Sequence, residues 1–155
     1  MREYPERPIV GVGAAIVDGS RVLLVRRGHE PLKGEWSIPG GAVELGETLG
    51  AACAREVREE TGLDVDVGPI IDVFDRIRLD ANGRTQYHYV LVDFVCRPTG
   101  GSLACASDAV DARWALPADL TELGVRPATI SVIEQAFERV RSGAWAPREV
   151  HGHAE

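Results

Sequence analysis

Apolar and polar positions along this chain follow two rhythms, and the elements change where the rhythm changes. Residues 9–17 are apolar, β-branched or small, with Val10, Val12, Ala14 and Ile16 prominent, and predict a strand. Asp18-Gly19-Ser20 carries turn chemistry, and residues 22–26 predict a second strand that closes a hairpin. A polar loop with Pro31 and Gly34 spans 28–35, a short extended piece covers 36–38 before Pro39, and 42–44 extends again. The period then becomes helical over 49–61, a stretch without proline. Strand character returns at 63–67 and 70–77, with a break at Gly68-Pro69, and 79–83 is a turn rich in Asp, Asn and Gly. Residues 85–96 give the strongest strand, with Tyr87, Tyr89 and Leu91 on one face and His88, Val90, Val92 and Phe94 on the other. Such continuous hydrophobicity predicts burial on both faces. Pro98 and Gly100-Gly101 mark 97–107 as a loop, 109–115 as a short strand follows, and Pro117 opens a short helix to 123. Ile130, Ile133, Phe137 and Val140 place 129–141 on one amphipathic helix. Strands, helix, strands, helix is an α+β order: a mixed sheet packed between helices.

Composition narrows the classes. At 155 residues the chain is read as one domain over 1–155, with flexible arms at 1–8 and 143–155. His151 and His153 fall in the second arm and are read as tail rather than metal ligands. A net charge of −7 and a pI near 5.1 argue against a nucleic-acid partner, which would call for a basic patch. Cys53, Cys96 and Cys105 are scattered, form no CxxC pair and follow no secretory segment, so reduced thiols in a cytoplasmic protein are expected. No apolar run has the length of a membrane span, so no membrane partner is expected.

The helix over 49–61 holds the candidate chemistry. Thr48 is a capping residue, Gly50 sits in the first turn where it costs least, and Gly62 supplies a left-handed stop. At 100° per residue, Leu49, Ala52, Cys53, Glu56 and Glu60 share one stripe, with Glu59 at its edge. A helix that only packs would carry Leu or Val at the last two of those positions. Carboxylates heading inward repel one another, lose solvation and need a counter-charge. A divalent cation with oxygen ligands supplies it, and Mg²⁺ suits a site shared with phosphate oxygens. The competing reading is a solvated acidic face paired with Arg55 and Arg58.

Gly41, Glu47, Arg55, Glu56, Val57, Glu59, Glu60, Gly62 and Leu63 together match nine fixed positions over 23 residues of the Nudix box, and Trp36-Ser37-Ile38-Pro39-Gly40 is similar to its usual lead-in. The chain therefore resembles the Nudix hydrolases, which cleave a nucleoside diphosphate linked to another group. That resemblance implies an α/β/α sandwich and Mg²⁺, with Mn²⁺ as a substitute, held by Glu56, Glu59, Glu60 and the Gly40 carbonyl. It implies that Glu59 or Glu56 polarises the attacking water and that Glu47 and Arg55 form an ion pair locking loop to helix, with Gly41 and Gly62 structural. Glu44 is a further candidate ligand.

A general base outside the box, just before the Trp-bearing strand, is also expected from the family. Asp108 is the first candidate and Asp111 the second. Arg26, Arg27 and Lys33 are candidates for phosphate contacts, His88 for a substrate contact, and Trp36, Tyr87 and Tyr89 for base stacking, each set against the plain alternative of surface charge or core packing. The partner is a small nucleotide, and pairing as a homodimer is known among relatives. ADP-ribose or a nucleotide sugar is the preferred substrate. Many ADP-ribose hydrolases carry a proline well downstream of the box, and Pro69 comes too early to match it. A nucleoside triphosphate pyrophosphohydrolase of the mutator type is the alternative, and a non-catalytic nucleotide sensor the third reading.

Overall fold

The computed structural model describes residues 2–30, 32–104, 109–143 and 145. Its elements run β1 (Ile9–Asp18), β2 (Arg21–Arg27), β3 (Trp36–Ser37), β4 (Gly40–Ala42), α1 (Leu49–Thr61), β5 (Leu63–Leu79), β6 (Thr85–Gly101), β7 (Ala109–Ala115), a single 3₁₀ turn (Pro117–Asp119) and α2 (Pro127–Arg141). The sheet is mixed, in the order β3-β2-β1-β6-β5, with β4 paired to β1 and β7 to β2. β1 and β6 lie parallel, from Ile9 opposite Tyr89 to Ile16 opposite Cys96. The other pairings are antiparallel.

Period-2 alternation along β1 and β6 divides the core into two layers. Val12, Ala14 and Ile16 of β1 join Val92, Phe94 and Cys96 of β6 against Ala52, Cys53 and Val57 of α1. Ala15, Val17 and Val95 point the other way, against Val132, Ile133 and Ala136 of α2. The expected burial of β6 on both faces and the α/β/α layering follow from this arrangement. No helix among the described residues is long and apolar enough to cross a membrane.

Several local expectations shift. The break at Gly68-Pro69 is a register irregularity inside one strand, since β6 keeps pairing with β5 on both sides of it. Residues 97–101, expected as loop, extend β6 because Gly101, Gly100 and Pro98 still face Leu63, Asp64 and Val65. The helix expected from Pro117 to 123 is only the 3₁₀ turn, where Asp119 accepts a hydrogen bond from Leu116 N–H (3.1 Å) and Gly124 turns the chain at φ 74°. α2 starts at Pro127, two residues earlier than expected. The first segment, expected as a loose arm, lies along β6: Tyr4 N–H donates to Gln86 O (2.7 Å), and Glu3 accepts from Tyr87 Oη–H (3.0 Å). Residues 144 and 146–155, with His151 and His153, lie outside the described residues, as does Cys105.

Candidate active site

α1 is set by its ends and its stripe. Thr48 Oγ1 accepts from Ala51 N–H at 3.2 Å, and Gly62 closes the helix at φ 75°. Ala52, Cys53 and Val57 anchor the buried face, and the same face delivers Glu56 and Glu60, each 8% exposed. β4 passes beneath them. A Cβ on Gly41 would sit 2.3–2.5 Å from the carboxyl carbon and both oxygens of Glu56, so glycine is required to seat that carboxylate. Gly40 N–H donates to Glu60 Oε2 at 3.2 Å. A strand residue directs its N–H and C=O to the same edge, which puts the Gly40 carbonyl on the helix side as well.

Arg55 ties this corner together. Its Nε and Nη2 donate to the two oxygens of Glu47 at 2.6 and 2.9 Å, a bidentate pair. Nη2 also reaches Ala42 O (3.1 Å), and Nη1 reaches Glu56 (2.9 Å) and Glu59 (3.2 Å). The expected loop-to-helix ion pair is therefore formed. Hydrogen bonding from Arg55 holds the Glu47 carboxyl below its ordinary range. Burial pushes the Glu56 carboxyl up, against the pull of Arg55. One guanidinium is shared among four carboxylates, those of Glu44, Glu47, Glu56 and Glu59, and Glu60 lies beside them. An oxygen-lined corner rich in carboxylates fits a hard divalent cation. Glu59 lies at the edge of the stripe, its side chain 51% exposed and turned toward Arg55. No group of three His, Cys, Asp or Glu among the described residues stands ready-made for a metal ion. Glu44 is exposed, 3.8 Å from Arg55.

Glu56 and Glu60 stand at the rim of an open cleft also lined by Gly11, Gly13, Ile38, Phe74, Arg76 and Tyr89. Arg26 and Arg27 line it as expected, and Arg26 Nε donates to Gly34 O at 3.2 Å. Tyr89 lines it too. Trp36 does not; it packs against the α2 layer. His88 lies on the opposite face of β6 from Tyr89, Leu91 and Asp93, and is not among the residues lining the cleft. Tyr87 and Lys33 are also outside the lining. Asp111 is exposed and accepts from Ala112 N–H at 2.8 Å, and Asp108 lies outside the described residues.

Five titratable cleft residues escaped the sequence reading: Arg2, His29, Glu30, Arg76 and Asp93. Asp93 had a signal, a charge within an otherwise apolar strand. Burial, then the nearby Arg27 and Arg126, lower the pKa of Arg76. Burial raises Asp93 to about 6, partly opposed by Arg76.

The family model described as NUDIX domain matches residues 7–145. A protein named ADP-ribose pyrophosphatase from Methanocaldococcus jannaschii is 36% identical over 107 residues, covering 69% of this chain and 61% of that protein. A MutT-like protein from Streptomyces ambofaciens is 31% identical over 118 residues, covering 76% of this chain and 70% of that one. The crystal structure of a MutT NUDIX hydrolase from Burkholderia pseudomallei superposes with a TM-score of 0.71 at 32% identity, over 84% of this chain and 98% of that chain.

Proposed function

The chain belongs to the Nudix family, and on that premise we propose that it is a Mg²⁺-dependent pyrophosphohydrolase cleaving the diphosphate of ADP-ribose or a nucleotide sugar. The observation that carries the reading is the pair of buried carboxylates, Glu56 and Glu60, seated over Gly40-Gly41 at the rim of an open cleft. A divalent cation such as Mg²⁺ bound there would supply charge neutralisation for the phosphate oxygens and a more acidic attacking water. Glu56 and Glu60 would hold the ion, with the Gly40 carbonyl beside them and Glu59 at the helix edge as a further oxygen donor. Arg55 fixes Glu56 and Glu47 so that α1 and the loop before it keep their geometry. Arg26 and Arg27 offer cationic contacts for the non-bridging phosphate oxygens. Asp108, before β7, is assigned the proton acceptor. One water adds across the P–O–P bridge, and two monophosphate esters leave. A soluble nucleotide substrate and free Cys53 and Cys96 are compatible with a cytoplasmic setting.

Likeness to a MutT-like protein keeps nucleoside triphosphates as the second reading. Incubation with ADP-ribose, ADP-sugars, NADH, dinucleoside polyphosphates and canonical or oxidised nucleoside triphosphates separates the two. Products are resolved by ion-exchange chromatography with Mg²⁺, with Mn²⁺ and with chelator. Turnover of one class that vanishes with chelator and in Glu60→Gln is expected. Binding without turnover of any of them would replace the enzyme by a sensor.

A further inference from the structure

The cleft floor holds a charged side chain that metal-assisted hydrolysis does not use. Asp93 of β6 is 6% exposed and faces the cleft with Leu91 and Tyr89. Its neighbours in the sheet are Gly13 on β1 and Asp72 on β5. The side chain leans over Gly13: a Cβ there would lie 2.3 Å from Asp93 Oδ1 and 3.0 Å from Ile38 Cδ1. Glycine at 13 thus makes room for this carboxylate, as glycine at 41 does for Glu56.

Nothing among the described residues satisfies it. Its protonation responds to burial and to the fields of Arg76 and Asp72, with no hydrogen-bond contribution. Its oxygens are not sealed either, because Trp145 Nε1 is the one fully enclosed, unpartnered side-chain polar atom among the described residues. A carboxylate that is buried, unpartnered and reachable only through a cleft costs folding free energy, and native proteins seldom carry one without a use. Arg76 stands two strand rungs along, opposite Tyr89, while Phe74 opposite Leu91 lies between. The floor therefore reads acidic, apolar, cationic in order along β5 and β6.

We propose that Asp93 selects the non-phosphate half of the substrate by accepting two adjacent hydrogen-bond donors from it. An ionised carboxylate is acceptor-only, so its ligand must donate. It repels phosphate, which belongs at the carboxylate rim with the metal. Two strand spacings separate Asp93 from Gly40 through Gly13, on the order of 10 Å. A nucleoside or terminal sugar reaches that far from its own diphosphate. Leu91 and Phe74 offer an apolar bed for the ring. Two groups present adjacent donors: the vicinal hydroxyls of a ribose or hexose, and the N1–H with the exocyclic amine of a guanine. Adenine, cytosine and uracil each present a single donor group on that edge, beside an acceptor. The placement of the diphosphate at the rim rests on the pyrophosphohydrolase reading; the need of Asp93 for donors does not.

Calorimetric binding in chelator, where no turnover occurs, tests this with two ligand pairs. ADP-ribose against its terminal 2-deoxy counterpart probes the diol, and GDP against IDP, which lacks only the 2-amine, probes the guanine edge. In one pair the wild type should prefer the ligand with both donors by roughly tenfold to a hundredfold. Asp93→Asn should erase that preference while raising the melting temperature, a combination that a merely structural aspartate would not give. The discriminating pair names the source of the donors. Equal affinity within both pairs, no binding of any of the four, or a preference that survives in Asp93→Asn overturns the assignment. Discrimination without turnover in the substrate panel would leave Asp93 standing and sink the hydrolase reading alone.

Discussion

Replacing Arg55 by leucine is the sharpest test of how the carboxylate corner is held. Arg55 keeps 23% of its side-chain exposure, against 15% for Glu47 and 10% for Glu56. The substitution removes five hydrogen bonds at once and strands two largely buried carboxylates. Removing one partner of a buried pair costs about 3–5 kcal/mol, and because each group keeps some water the low end, about 3 kcal/mol, is expected here. Hydrogen bonding to Arg55 lowers the Glu47 pKa, so that pair stabilises the fold above the ordinary Glu range and the gain is lost as pH falls through the lowered value. In the variant both carboxylates titrate upward and protonate early. Urea unfolding in chelator should thus show a gap of about 3 kcal/mol at pH 7 that narrows by pH 4. Added Mg²⁺ should stabilise the variant more than the wild type, since the cation supplies the missing charge. A gap below about 1 kcal/mol at pH 7, or one unchanged at pH 4, would refute Arg55 as the compensating charge.

Gly41→Ala should fold with little loss, because the atoms its Cβ meets are the end of the Glu56 side chain, yet that carboxylate must swing away. The expected result is a melting temperature close to wild type and no further rise on adding Mg²⁺. Asp93 rises from 3.8 to about 6 in the fold, so its ionisation removes about 3 kcal/mol of stability as pH climbs through that window. Asp93→Asn should match the wild type below pH 4 and exceed it by about that amount at pH 7 in denaturant melts; a constant difference across pH would count against a buried, unpaired charge. Cys53 and Cys96 are buried with sulfurs 3.8 Å apart, and the second thiol is pushed well above its usual range by hydrogen bonding to the first and by burial. Mass mapping after thiol labelling should find both unmodified in the native protein and modified only after unfolding.

The helix and its chemistry were legible because every signal was local. A cap at Thr48, a stop at Gly62 and a stripe from Ala52 to Glu60 are decided within one element, and the structure keeps each of them. Residues 97–101 failed for the opposite reason. Proline and glycine there argue for a loop, but the start of β5 lies alongside and extends the ladder, a tertiary pairing that local propensity does not contain. Glu59 sits between these cases. Its phase puts it at the edge of the stripe, and Arg55 one turn earlier draws it outward, so periodicity alone overstates its approach to the cleft. Asp93 was visible as a charge in an apolar run, yet nothing in period-2 alternation says which face of β6 meets a cleft. That is decided when β1 lies parallel to β6 and brings Gly13 beside Asp93, eighty positions along the chain, while Gly13 also pairs with Gly40 on β4. The glycines of β1 and β4 thereby serve two carboxylates from different elements, Glu56 at the rim and Asp93 on the floor, within one cleft. On the proposed reading, a site assembled this way divides its labour: the box fixes where the diphosphate is cut, and a strand far from the box decides what may be attached to it.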